Sequence, residues 1–460
     1  MHATSPPAPL VLVSMPSEIL LSIADHLPSE KDIASLATAN RHFNSLLTPY
    51  LYTHNAKHNK DNLALWWAIR HGERATAEKS LDSGADINAM PDINDDVPWR
   101  SPSPLSYLAV SSRPRNIRLL REELYRQYVD RHLALVQLLI DRGMDVEATS
   151  IYGGQTALHI AAKRGDDEVV QLLIENGANI NAVCSIGNTV LHYAAMSCNV
   201  DTINLLINMG LTVNSNHETA FTPLHAAASV LNEHAIRVLI DRGAKVQCIS
   251  SDLTSPLILA ASHEDSGAAL ELLIKNGADI DHVGPFESTA LHKAAALKNV
   301  TGMRLLIRYG AKINVRDQDG NTPLHMLLRH RNFQSKLDLL QLFIDNGTNV
   351  NAPNEFGSVP LHTAASIAEV EPVKILLEHG ADVNRKDDHG YVPLHLASSA
   401  VGIQKELAAL LLENGANPVA QTDYGQVALV ETSWRGKADN EWIRAALVKY
   451  GNGNGNSKQN

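Results

Sequence analysis

Histidine is the residue type best suited to chemistry in this chain. There are 21 histidines, and seven of them, His159, His192, His225, His292, His325, His362 and His395, stand directly after a leucine in one recurring phrase. An imidazole that titrates near neutrality can ligate a metal or carry a proton. The spacing argues against a shared ion. Packed helices lie roughly 8–10 Å apart, whereas zinc–nitrogen bonds are about 2 Å long. Equivalent histidines of neighbouring repeats are therefore expected to be structural and to hydrogen-bond backbone between repeats. The three cysteines, Cys184, Cys198 and Cys248, are odd in number and irregular in spacing. They suit reduced thiols of a cytoplasmic or nuclear protein better than a disulfide framework. The chain contains no H-E-x-x-H, Walker A loop, dinucleotide fingerprint or nucleophile elbow. No pair stands out among its 50 acidic residues. No catalytic, cofactor or metal site is expected, and the chain does not read as an enzyme.

The elements that carry these histidines form a repeat. Leu158, Leu191, Leu224, Leu257, Leu291, Leu324, Leu361, Leu394 and Leu429 follow one another at 33, 33, 33, 34, 33, 37, 33 and 35 residues. Weaker copies at Leu65 and Leu105 bring the count to eleven. A second anchor follows in most copies about nineteen residues later: GADIN at Gly84, GANIN at Gly177, GADID at Gly277, GAKIN at Gly310, GADVN at Gly380. Each phrase has a physical reading. In Thr222-Pro223-Leu224-His225, the threonine hydroxyl can cap a helix start. Proline fits the first helical position, where its missing N–H costs nothing. An alanine-rich first helix follows, then an apolar second helix closed by glycine. Next comes a polar, turn-rich segment expected to form a hairpin finger. One unit cannot bury its own apolar face, but stacked units can. The low aromatic content of 5% suits a thin core of Ala, Leu, Ile and Val.

The pattern closely resembles the ankyrin repeat over about residues 60–451. The resemblance implies an all-α ankyrin-repeat α-solenoid, helix pairs joined by β-hairpin fingers, that binds a protein partner. Eroded outermost units suit capping roles.

Residues 15–53 precede the array and break into three short helical stretches. Met15-Pro16-Ser17-Glu18-Ile19, Asp32-Ile33-Ala34-Ser35-Leu36 and Arg41-His42-Phe43 resemble the elements of an F-box, with Met15 where the family usually has leucine. That resemblance implies a small three-helix domain docking a Skp-type adaptor within a cullin ubiquitin ligase. Pro16, Ile19, Leu20, Ile33 and Leu36 are the contact candidates carried over. The array would then hold the substrate. The same residues also suit a helical cap on the first repeat, in which case the chain is an ankyrin scaffold or inhibitor without a ubiquitin role. Residues 1–14 and 452–460 read as disordered.

Substrate-binding candidates are the large apolar residues of the fingers: Tyr152, Phe221, Phe286, Phe356, Tyr391 and Tyr424. Two insertions are basic. One lies near 113–131, where it should lengthen a helix, and the other is His330 to Lys336. Trp66 and Trp67 are expected to pack at the junction of head and array. The formal net charge of −11 disfavours sequence-independent nucleic-acid binding. No apolar run is long enough to cross a membrane. The opening MHATSPPAPLVLVSMPSE lacks the basic start of a signal peptide. A cytoplasmic or nuclear location is expected, and the sequons at Asn299 and Asn346 read as chance matches.

Overall fold

The computed structural model describes residues 65, 66, 68, 69, 73–88, 122–150, 153–197, 199–215, 219–331, 335–399, 405–428, 445, 446 and 448–450. The F-box-like segment, Tyr152, Trp67 and Cys198 lie outside these residues. The chain divides into two compact units, 1–217 and 218–460.

In the first unit, α1 (Arg74–Asp82) and α2 (Glu122–Asp141) precede two helix pairs, α3 (Ala157–Arg164) with α4 (Asp167–Glu175) and α5 (Val190–Ala195) with α6 (Val200–Asn208). At 20 residues, α2 is about twice the length of the other second helices, so residues 122–131 of the basic insertion do lengthen a helix. Arg131 is exposed on it.

The second unit is more regular. Its first helices are α7 (Pro223–Ser229), α9 (Pro256–Ala261), α11 (Ala290–Ala296), α13 (Pro323–Leu328), α15 (Pro360–Ser366) and α17 (Pro393–Ser399). Its second helices are α8 (Glu233–Asp241), α10 (Gly267–Lys275), α12 (Val300–Arg308), α14 (Lys336–Asp345), α16 (Val370–Glu378) and α18 (Lys405–Glu413). First helices pack on first helices and second on second, giving two layers with the core between them. Helices of six to ten residues are too short to persist alone in water; stacking stabilises them. Ala227, Ala260, Ala294 and Ala364 are fully buried in the first layer, where a larger side chain would push the helices apart. Ile236, Leu239, Leu270, Leu306, Phe343 and Leu376 fill the second layer.

The fingers are tight turns. Among the described residues no extended strand forms, only isolated bridges at Val183–Thr189 and Gln421–Val427. Of the expected hairpins, fingers such as those at Asp317, Asn354 and Asp387 keep one cross-turn bond each, from these amides to the carbonyls of Asn321, Ser358 and Tyr391 at 2.9 Å. Among the described residues no ladder longer than this forms, because side chains take the amides it would use. Asp317 Oδ1 accepts from the amides of Asp319 and Asn321, Asn354 Oδ1 from those of Phe356 and Ser358, and Asp387 Oδ1 from those of His389 and Tyr391. Each finger is instead bonded to the next. The amides of Gln318, Glu355, Asp388 and Asp423 donate to the carbonyls of Phe286, Asp319, Phe356 and His389 at 2.9–3.1 Å. This approach requires Gly390: its φ is +77°, and a Cβ there would lie 2.8 Å from the Asp423 amide nitrogen.

Candidate protein-binding surface

The histidines are the scaffold that holds the surface in place. His225 Nδ1 accepts from the Thr222 amide at 3.1 Å, and its Nε2 lies 3.0 Å from the Thr254 carbonyl in the next repeat. His159, His292, His325, His362 and His395 repeat the arrangement, reaching the carbonyls of Asn188, Asn321, Ser358, Tyr391 and Gln426 at 3.0–3.3 Å. An Nδ1 that accepts an amide proton carries none itself, and an Nε2 that donates to a carbonyl carries one. Each ring is therefore held neutral with both nitrogens engaged. Burial lowers the pKa of His159 and His325 to about 4, and it also lowers those of His292 and His362.

Threonine keeps its expected place at the helix start, in a capping box with this histidine. The histidine satisfies the threonine's own amide, and the threonine hydroxyl lies beside the same Nδ1 at 2.9–3.0 Å. Val359 and Val392, which have no hydroxyl, make the same amide bond to His362 and His395. Where Ile258 replaces the histidine, Ser255 Oγ accepts the Ile258 amide, the capping bond expected of a hydroxyl at that position.

Two more devices fix the register. Asn314, Asn351 and Asn384 each donate Nδ2 to the glycine carbonyl of the next unit (Gly347, Gly380, Gly415) and accept with Oδ1 from the amide two residues beyond it. Asn299, fully buried, donates to the Ala261 carbonyl and Ser266 Oγ and accepts from the Gly302 amide. Its sequon thus offers no accessible amide.

On this scaffold the finger residues separate into two classes. Phe221 and Tyr391 stand three residues before the repeat leucine, on the return of the finger, and are half-buried. Phe221 stacks on His225, with centroids 5.0 Å apart. Tyr391 meets His395 edge-on and donates its hydroxyl to Gln426 Oε1 at 2.8 Å. Phe286, Phe356 and Tyr424 stand five residues before the leucine, at the fingertips, with 72%, 58% and 72% of their surface exposed. The structure therefore places three of the six candidates in one exposed row. The Leu253 side chain is also exposed on that row, and Ile186 is exposed on a finger of the first unit. Both are aliphatic; Ile186 stands five residues before Leu191, as the aromatic tips do before their leucines, whereas Leu253 stands four before Leu257.

Behind the tips, Asp319, Arg329, Phe356, His362, Thr363 and Ile367 line a groove of about 370 Å³ between fingers and first helices. The second basic insertion is not a basic patch throughout. Lys336 is 2% exposed and donates to the carbonyls of Leu328 and His330 and to Glu369 Oε2 at 2.6 Å. His330 Nε2 lies 2.9 Å from the Ala295 carbonyl.

The profile described as Ankyrin repeats (3 copies) matches residues 127–217, 211–283, 257–335 and 331–422, more than half of the chain. The chain belongs to the ankyrin-repeat family. Its ankyrin array is similar to curated proteins over part of their length. A probable serine/threonine-protein kinase of Dictyostelium discoideum is 42% identical over 32% of this chain and 15% of that protein. Human ankyrin repeat and SOCS box protein 11 is 32% identical over 22% of this chain and 30% of that protein. Mouse protein phosphatase 1 regulatory subunit 27 is 33% identical over 18% of this chain and 50% of that protein. The chain thus spans half or less of these relatives. The crystal structure of the human ASB11 ankyrin repeat domain aligns with a TM-score of 0.42 at 24% identity, covering 49% of this chain and 97% of that one. An ankyrin array with exposed apolar fingertips is a protein-interaction surface. No helix among the described residues is long and apolar enough to cross a membrane.

Proposed function

We propose that this ankyrin-repeat protein is the substrate-recognition subunit of an F-box-type cullin ubiquitin ligase, acting in the cytoplasm or nucleus. The array holds a protein substrate on its fingertips, and residues 15–53 dock a Skp-type adaptor. The observation that carries the holding role is the exposed row Phe286, Phe356 and Tyr424 on a scaffold whose polar groups are bonded from repeat to repeat. The docking role is supported by the F-box-like phrases at Met15–Ile19, Asp32–Leu36 and Arg41–Phe43. The protein performs no chemistry in this reading. It raises the local concentration of the substrate near a recruited conjugating enzyme.

The relatives favour keeping one alternative in view. Their names join ankyrin repeats to a kinase, a SOCS box and a phosphatase regulatory subunit, and the array alone does not select among such roles. In that alternative the N-terminal helices cap the array of a scaffold or inhibitor. A pull-down of purified Skp-type adaptor by the full chain, and by a Pro16→Ala, Ile19→Asp double variant, separates the two. The ligase reading expects retention by the wild type and loss in the variant. No retention by the wild type refutes the ligase role. Equal retention by both proteins refutes the assigned contact surface.

A further inference from the structure

Each exposed aromatic fingertip of the second unit adjoins an exposed carboxylate in the chain: Phe286 with Glu287, Phe356 with Glu355, Tyr424 with Asp423. The intervening tips contribute the exposed carboxylates Asp319 and Asp388. A flat ring beside a carboxylate is the pairing that receives a guanidinium, which stacks on the one and hydrogen-bonds the other. Both halves of that recognition already occur within the chain. Lys293 Nζ sits 5.9 Å from the centroid of Phe286, and Arg316 Nη2 meets Glu355 Oε1 at 2.9 Å. That ion pair is solvent-exposed, so an arriving arginine can share or displace it at little cost.

We infer that the fingertip row is a docking site for an extended, arginine-containing segment of a partner protein. The inference rests on the fingertips being the partner-binding face. The aromatic tips stand on alternate repeats, with Asp319 and His389 between them. At about 10 Å per stacked repeat, successive aromatic tips are about 20 Å apart. An extended chain advances about 3.3 Å per residue, so its arginines would recur about every six residues. Six is an even number, and side chains that far apart on an extended strand face the same side. Cations also stand near the row, and an arriving arginine must compete with them. Arg316 is paired with Glu355, and Lys386 Nζ donates to the Gln421 carbonyl at 3.1 Å, while Arg385 is exposed at the finger base.

The test is fluorescence anisotropy with the full chain and a labelled Gly/Ser peptide carrying three arginines about six residues apart. One comparison peptide has the same arginines on consecutive positions, and another has glutamate in their place. Saturable binding of the first peptide is expected, weakened by added salt and stronger than that of either comparison peptide. Phe356→Ser and Tyr424→Ser, both at exposed positions, should each weaken it roughly three- to tenfold. No binding, equal binding of the three peptides, or unchanged affinity in both variants overturns the inference. The adaptor pull-down reads residues 15–53, so its failure and the failure of this inference are separate results.

Discussion

Acid should loosen this protein through its histidines, and the size of the effect follows from their geometry. His159 and His325 are buried, with both ring nitrogens engaged in the neutral state. Protonation would point an Nδ1–H at an amide N–H that needs an acceptor. Burial lowers each folded pKa from 6.5 to about 4. The folded value lies below the unfolded one, so the contribution to stability is complete above about pH 6.5. It is lost as pH falls toward about 4. At about pH 5 each ring should cost about 2 kcal/mol relative to neutral pH. His159 lies in the first unit and His325 in the second, so each unit should respond. With a urea dependence of about 2 kcal/mol per molar, a unit's unfolding midpoint should drop by on the order of 1 M. The assay is urea titration followed by far-UV circular dichroism at the two pH values. A His159→Gln, His325→Gln variant should be less stable at neutral pH but lose less on acidification. An unchanged wild-type midpoint, or an equal loss in the variant, would refute the reasoning and assign the acid response to carboxylates.

Three further outcomes follow from the packing. Lys336→Met should destabilise the second unit by about 3 kcal/mol, because Glu369 loses its buried partner. Adding Glu369→Leu should recover much of that loss, as a double-mutant cycle in urea would show. Gly390→Ala should cost about 1–2 kcal/mol from its left-handed φ and the close Asp423 amide. Hydrogen exchange at that amide should quicken. Asn299→Ala should cost about 2–3 kcal/mol, by thermal or urea unfolding, because the Gly302 amide and the Ala261 carbonyl lose their bonds in the interior.

The amino-acid sequence by itself determined the repeat, its period and its helix pairs. A unit that buries its apolar face on an identical neighbour must place leucine, alanine and glycine at fixed intervals, and intervals survive in one dimension. It also determined that the phrase histidines are structural, since their spacing forbids a shared ion. What the tertiary structure decided were matters of partner and exposure. That histidine satisfies the amide of the N-cap residue itself is visible only when Val359 and Val392, which have no hydroxyl, are seen to make the same bond. That Lys336 is buried depends on Glu369, one repeat away in the chain and adjacent in space. Phe221 and Tyr391 looked like Phe286, Phe356 and Tyr424 in composition. A two-residue difference in position turns the first pair onto a histidine ring and leaves the other three at the tips. Exposure is set by what the neighbouring finger covers, and that is fixed only when the repeats stack.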